Sequence, residues 1–203
     1  MPTAACRPLP TAASRPLPAS FGMTSHFSNP AGRAPAQANE YVRSILTLLG
    51  DQDPIEVLTQ LAGKLRAATR GKSAEALDRA EAPGKWSIAQ VIQHLADSEV
   101  VLGWRLRLVL GQERPTITGY DQDQWVERLA GAYEDVEAAL RILETLRASH
   151  VRLLRSLTPA QWEREGVHSE RGPESVRLMS KLYAGHDLAH LNQIERIRSA
   201  GGR

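Results

Sequence analysis

The stretch "WSIAQVIQHLADSEVVLGWRLRLVLG", residues 86–111, leaves few folds open to the chain. Ile88, Val91, Ile92, Leu95, Leu102, Leu106 and Val109 recur at helical spacing and share one broad face. Ser87 with Gln90 three residues on reads as a capping box, each side chain satisfying an orphan backbone donor of the first turn, and Gly111 reads as the stop. So long an apolar face must be covered by partners of similar length. Three further stretches qualify. Asp53 as N-cap with Pro54 behind it opens a helix to about Thr69. A second runs from about Tyr133 to Leu157 with Val136, Leu140, Leu143, Leu146, Leu153, Leu154 and Leu157 inward, and a third from Pro173 to about Arg198. "ANEYVRSILTLLG" adds a shorter N-terminal helix ending at Gly50. The expectation is an all-α four-helix bundle with a short N-terminal helix.

No strand pattern competes with the helices. Residues 71–85 read as a connector with one short turn, "TPAQWERE" as a single helical turn capped by Thr158, and "QERPTITGYDQDQW" as an irregular loop. The connector between the second and third long helices, from Gly111 to Tyr133, is long enough for a crossover in place of a tight hairpin.

Residues 1–36 have another texture. They are rich in Pro, Ala and Arg, contain the repeat "TAACRPLP" and "TAASRPLP", and hold no acidic residue. Prolines interrupt every apolar run before a secretory core can form, so this extension is expected to be disordered, with the folded domain spanning 37–200. Met23 offers a second start within it. Of the 25 basic side chains, Arg7, Arg15 and Arg33 lie in the extension; the other 22 are interspersed with all 23 acidic ones. Nucleic acid is therefore not an expected partner, because phosphate binding needs a concentrated basic face. No apolar run is long enough to span a bilayer. The single cysteine, Cys6, lies in the extension and fits a reducing, cytoplasmic setting.

Two histidines interrupt the last helix in "YAGHDLAHLNQI". At about 100° per residue, His186 and His190 fall on the side that carries Met179, Leu182, Tyr183 and Ile197, so both imidazoles are expected to point into the bundle. Buried imidazoles without partners are costly, at about 1–3 kcal/mol each, and the i, i+4 spacing lets two share one ion. Two satisfied core histidines would give the same pattern. His94, about two turns into the capped helix, is the candidate third ligand. Three imidazoles with one position left open are the donor set of a catalytic metal site, and they suit Zn, Ni or Fe.

Further candidates surround this triad. His150 reads as an extra ligand, a base acting behind the ligands, or a core histidine bonded to backbone. His168, in "GVHSERG", lies just before the last helix and either overhangs the pocket or is a solvated loop residue. Asp187 adjoins the pair and Asp97 follows His94 by one turn; each is an acid able to orient an imidazole or accept a proton, or an ordinary surface charge. His150, His168 and Asp187 are thus the candidate catalytic residues. Glu99 falls in the middle of an apolar stripe and must be paired, with an arginine of "WRLRL" as the nearest choice, or else protonated or close to the site.

"PGKWSIAQVIQHLADSE", "RLRLVL" followed by "YDQDQW", and "GVHSERGPESV" leading into "AGHDLAHLNQI" together resemble the DinB-like superfamily, over roughly residues 38–200. The resemblance implies an up-down-down-up bundle with a long crossover, a metal triad at His94, His186 and His190, and a homodimer. It also implies activities of the kind known in that family, namely S-transfer with low-molecular-weight thiols such as bacillithiol or mycothiol, and a mycothiol-dependent isomerisation. Two classes of function follow. One is a metal-dependent enzyme with a divalent ion acting on a small molecule, either as a thiol S-transferase using such a thiol or as a hydrolase. The other is a non-catalytic bundle whose metal site is structural or sensing and which works by dimerising or binding a partner. The domain has no cysteine of its own, so any thiol chemistry needs a thiol from outside the protein.

Overall fold

A computed structural model describes residues 35–130, 133 and 135–200; the expected extension, residues 1–36, falls almost wholly outside them. Among the described residues, eight helices and three short strands follow in order: α1 (Pro35–Leu49), α2 (Pro54–Thr69), α3 (Ala74–Leu77), α4 (Ile88–Gly111), β1 (Thr116–Ile117), α5 (Gln122–Arg128), α6 (Val136–Arg155), α7 (Pro159–Trp162), β2 (Glu165–His168), β3 (Gly172–Ser175) and α8 (Val176–Ala200).

The expected caps are present. Asp53 accepts from the Ile55 N–H, and both halves of the Ser87–Gln90 box are formed. A second capping box starts α7 at Thr158. Helix α6 begins later than expected, because Asp135 rather than a residue before Tyr133 caps it, accepting from the Ala138 N–H at 2.7 Å.

The bundle proper is α2, α4, α6 and α8. Leu61 and Leu65 of α2, Val91, Ile92 and Leu95 of α4, Leu140 and Leu143 of α6 and Ile194 and Ile197 of α8 form the core at one end. Leu58, Leu102, Leu106, Val109, Leu154, Val176 and Met179 form it at the other. Each end thus takes the late part of two helices and the early part of the other two. Helices α2 and α8 run one way and α4 and α6 the other, which is the up-down-down-up order. Both α2 and α4 pack chiefly on α6 and α8, so α2 and α4 are diagonal. Because α4 and α6 are parallel, the chain must return along the whole bundle, about 30 Å, between them. Residues 112–135 make that crossover.

The crossover is not the irregular loop the sequence suggests. It carries β1 and α5, and β1 pairs in parallel with β2, which pairs antiparallel with β3. Thr116 aligns with Val167 and Ile117 with His168. This sheet also corrects the expected start of the last helix: Gly172–Ser175 are strand, and α8 begins at Val176. The sheet's consequence is positional, since it fastens the segment containing His168 against the crossover over one side of the bundle.

Helix α1 lies outside the four, against α8. Ile45, Leu182 and Ala189 pack together there, and a Cβ on Gly185 would collide with the Ile45 carbonyl oxygen. Burial of Ile45, Leu58, Leu61, Leu65, Ile92 and Leu143 is complete. At about 1.5–3 kcal/mol for each such side chain, these contacts dominate what holds the bundle. Leu146, Leu153 and Leu157, expected inward, are only half-buried, while Arg147 and Val151 take the inward positions. No helix among the described residues is long and apolar enough to cross a membrane.

Candidate metal centre

The capped α4 and the final α8 cross with His94 facing His186 and His190. His94 and His190 are 1% exposed and His186 8%. Their Nε2 atoms converge: His94 to His186 is 3.0 Å and His186 to His190 is 3.1 Å. One ligand atom from each of the three lies within 4.8 Å of the others. Two ligand nitrogens on a tetrahedral zinc are about 3.3 Å apart, so this spacing nearly matches a shared ion.

The surroundings orient the rings. Gln193 Oε1, 2.8 Å away, accepts from His190 Nδ1, which leaves the His190 Nε2 lone pair directed at the cluster. Trp86 closes the back, its ring stacked within 15° of His190 and 4.9 Å from His94 between centroids. Burial, with His190 beside it, holds His94 well below the usual histidine range. Burial and the two neighbouring imidazoles do the same to His186. For His190, burial outweighs the Gln193 hydrogen bond and lowers it to about 4.

All three imidazoles are therefore neutral at pH 7, and here the residues fit a metal. A neutral ring nitrogen carries either a proton or a lone pair. His186 Nε2 faces two other Nε2 atoms, one with its lone pair already fixed, and cannot satisfy both with a single proton. His186 Nδ1 is buried with no hydrogen-bond partner among the described residues. A cation accepting three lone pairs removes the conflict.

A cavity of about 70 Å³ opens beside His186, walled by Ser98, Arg105, Tyr120, His168 and Tyr183 among others. Ser98 Oγ stands 3.4 Å from His94 Nε2 and 3.0 Å from the Tyr120 hydroxyl. Burial raises the Tyr120 and Tyr183 phenols, so both stay protonated.

The three candidate catalytic residues part company. His168 is buried at 2% exposure in the cavity wall, so the solvated-loop reading does not hold. His150 and Asp187 instead join a buried network centred on Arg147. Arg147 donates to Glu99 Oε2 at 2.8 Å, to Asp187 Oδ2 at 2.6 Å and to the Leu58 carbonyl at 2.9 Å. His150 Nδ1 meets Glu99 Oε1 at 2.6 Å. Neither His150 nor Asp187 lines the cavity.

Glu99 is thus paired, but its partner is Arg147 of α6 and not an arginine of "WRLRL". Six and eight residues along the same helix, Arg105 and Arg107 lie about 9 and 12 Å up the axis, too far along to close the pair. Burial opposes ionisation of Glu99, yet Arg147 and the His150 hydrogen bond outweigh it and hold the carboxyl below its ordinary range. Asp187 and Asp97 are not surface charges either. Asp97 accepts from the Tyr133 hydroxyl at 2.7 Å, and Asp187, beside His186 in sequence, is fixed by Arg147.

Comparison with known proteins turns the resemblance into an assignment. The family model described as the DinB superfamily matches residues 58–194, well over half of the chain. The chain belongs to the DinB superfamily. Within the superfamily it is 38% identical over 120 residues to a protein of Oceanobacillus iheyensis, covering 59% of this chain and 69% of that one. It is 31% identical over 147 residues to YfiT of Bacillus subtilis, covering 70% and 82%. Both carry the name "Putative metal-dependent hydrolase". The solved structure of YfiT superposes with a TM-score of 0.69 at 30% identity, over 73% of this chain and 86% of that one. It is described as "a probable metal-dependent hydrolase with an unusual four-helix bundle topology". The bundle and the buried three-histidine cluster accord with a metal-binding DinB-superfamily protein.

Some parts of the site escaped sequence reasoning. Gln193 sits three residues after His190, where a local helix-face argument reaches it. Trp86 immediately precedes the cap of α4. Tyr183 shows on the histidine face of the last helix, but Arg105 and Tyr120 carry no local signal, because the cavity forms only when α4, α8 and the crossover meet.

Proposed function

We propose that the chain is a metal-dependent enzyme of hydrolase type, with a divalent ion (Zn, Ni or Fe) held by His94, His186 and His190 and a small-molecule substrate admitted by the adjoining cavity. One observation carries this reading: three neutral, buried imidazoles converge on one point, and a cavity lies on the His186 side of it. A structural zinc site is normally closed by four protein ligands, often with cysteine. Among the described residues no fourth His, Cys, Asp or Glu joins the cluster.

When bound, such an ion supplies Lewis acidity, polarising a scissile bond and lowering the pKa of a water or thiol. The remaining roles belong to the chain. His94, His186 and His190 present lone pairs. Gln193 holds the His190 tautomer, and Trp86 excludes water from behind the cluster. Ser98 and Tyr120 form a neutral hydroxyl pair reaching toward His94, able to hydrogen-bond a developing negative oxygen. The names of the relatives support hydrolysis. S-transfer to an electrophile would use the same three ligands with an external thiol of bacillithiol or mycothiol kind.

Metal content decides the first point. Purified protein incubated with Zn²⁺ or Ni²⁺ and desalted is expected to retain about one ion per chain, and the His94→Ala and His190→Ala variants under about a tenth of that. Equal metal in wild type and variants would sink the reading. Parallel assays on Zn-loaded protein, one with activated esters and amides and one with a thiol plus a model electrophile, then separate hydrolysis from S-transfer.

A further inference from the structure

Among the described residues, Arg105 and Arg147 are the two arginines buried within the bundle, at 6% and 4% exposure, and their surroundings differ. Arg147 is answered by two carboxylates. Arg105, in the cavity wall, has no carboxylate within ion-pair distance among the described residues. Its polar contacts are the Tyr183 hydroxyl at 3.3 Å, the Thr118 carbonyl at 3.0 Å and His168 Nε2 at 3.4 Å, and its guanidinium lies over the Tyr120 ring at 5.9 Å from the centroid. A guanidinium removed from water without a counter-charge is costly, and proteins ordinarily pair it.

The His168 contact sharpens the point. The Glu170 backbone N–H donates to His168 Nδ1 at 3.2 Å, so that nitrogen holds the lone pair. Burial, with Arg171 and Arg105 adding to it, lowers His168 to about 3 and keeps it neutral. A neutral imidazole accepting at Nδ1 carries its proton on Nε2. His168 Nε2 and the Arg105 guanidinium are therefore both donors, 3.4 Å apart, in the wall of the same cavity. Nearby, the Arg171 charge is already met by Glu174, through Nε to Oε1 and NH2 to Oε2 at 3.2 Å. The Glu170 carboxylate also stands in the wall.

We propose that Arg105 and the His168 Nε2–H form an anion-recognition fork, and that the substrate carries a carboxylate which binds there while its reacting part lies toward His186. Both residues share the cavity with His186, so one small molecule can span the two. A carboxylate fits better than a rounder oxyanion, since the planar guanidinium edge and one further N–H match two oxygens in a plane. Tyr183, protonated and bonded to Arg105, completes the donor wall. This deepens the metalloenzyme reading and rests on it only for where the reacting part of the substrate goes.

The test is a binding titration of the Zn-loaded full chain with acetate, acetamide and inorganic phosphate, followed by protein NMR shifts, with metal content measured alongside. Acetate is expected to bind at least about ten-fold more tightly than its neutral isostere acetamide. Arg105→Gln should remove that preference at unchanged metal content, and His168→Phe should weaken acetate about three- to ten-fold. Arg105→Lys and His168→Gln keep a charge and a donor respectively, should fold where the harsher variants fail, and should restore part of the preference. Acetate affinity untouched by all four changes but abolished in His94→Ala would overturn the fork, placing the anion on the metal, and leave the metal reading standing. Loss of metal binding in wild type with an intact Arg105-dependent acetate preference would do the reverse. Phosphate binding more tightly than acetate through Arg105 would overturn the carboxylate assignment.

Discussion

At the scale of the residue, Arg147 joins all four helices of the bundle: it sits on α6 and bonds Leu58 of α2, Glu99 of α4 and Asp187 of α8. Arg147→Met leaves Glu99 and Asp187 buried without their cation, and is expected to cost about 3–5 kcal/mol in urea unfolding. Asp187 directly follows the ligand His186 in the chain, so metal affinity measured on the same variant should fall about ten-fold or more. A stability loss under about 1 kcal/mol would mean that water reaches the network and replaces the arginine. The sequence made half of this pair legible. Glu99 in an apolar stripe announces a need for a partner, but the partner's address is a tertiary fact. Arg147 sits one turn beyond Leu143 on the inward side, and next to Leu146, whose hydrophobicity drew the stripe away from it. The three histidines were legible because helical angle alone aligns His186 with His190, and the cap of α4 sets the register of His94.

Among the elements, α8 shows how a local rule yields to a close approach. Gly185 is in mid-helix, where alanine is normally favoured by about 1 kcal/mol. Here an added Cβ would meet the backbone carbonyl of Ile45, which cannot rotate away as a side chain could. Gly185→Ala is therefore expected to destabilise by about 1–3 kcal/mol, the usual range for overpacking. It should raise amide exchange along α1 more than along α4, because α1 rests on α8 from outside. Stabilisation by the substitution would show that α1 packs more loosely than this contact implies. The long helices were legible from period and caps because their signals are local. The sheet was not, since its strands are very short and their sequences show no apolar–polar alternation, although β2 is alternately buried once folded. It depends on Gly172, at φ 79°, turning the hairpin and on β1 arriving from a distant crossover, Thr116 against Val167. Helix α5 has a visible cap, Asp121 accepting from the Gln124 N–H at 2.9 Å, but its 7 residues are too few to show a period.

For the whole molecule, the up-down-down-up order follows from which ends share a core, and it forces the crossover that builds the cavity wall and brings β2 with His168 over Arg105. Burying neutral imidazoles in that wall links stability to pH. His168 falls from an ordinary 6.5 to about 3 in the folded chain, chiefly through burial, and nothing depresses it in the unfolded one. Between those values the unfolded state binds the extra proton, so stability is fully present above pH 6.5 and is lost as pH falls toward 3. Between pH 7 and pH 5 the loss from this residue alone is about 2 kcal/mol. The imidazoles of the cluster are lowered as well and push in the same direction, so the informative quantity is a difference. Metal-free wild type and His168→Gln, unfolded with urea at pH 7 and pH 5, should therefore diverge. The variant, with an uncharged donor that does not titrate, is expected to lose about 2 kcal/mol less on acidification. Equal losses in the two proteins would mean that His168 takes up its proton without unfolding, through water entering beside Arg105. That outcome would also contradict a dry donor pair in the cavity wall, because a wetted site supplies its own acceptor between Arg105 and His168.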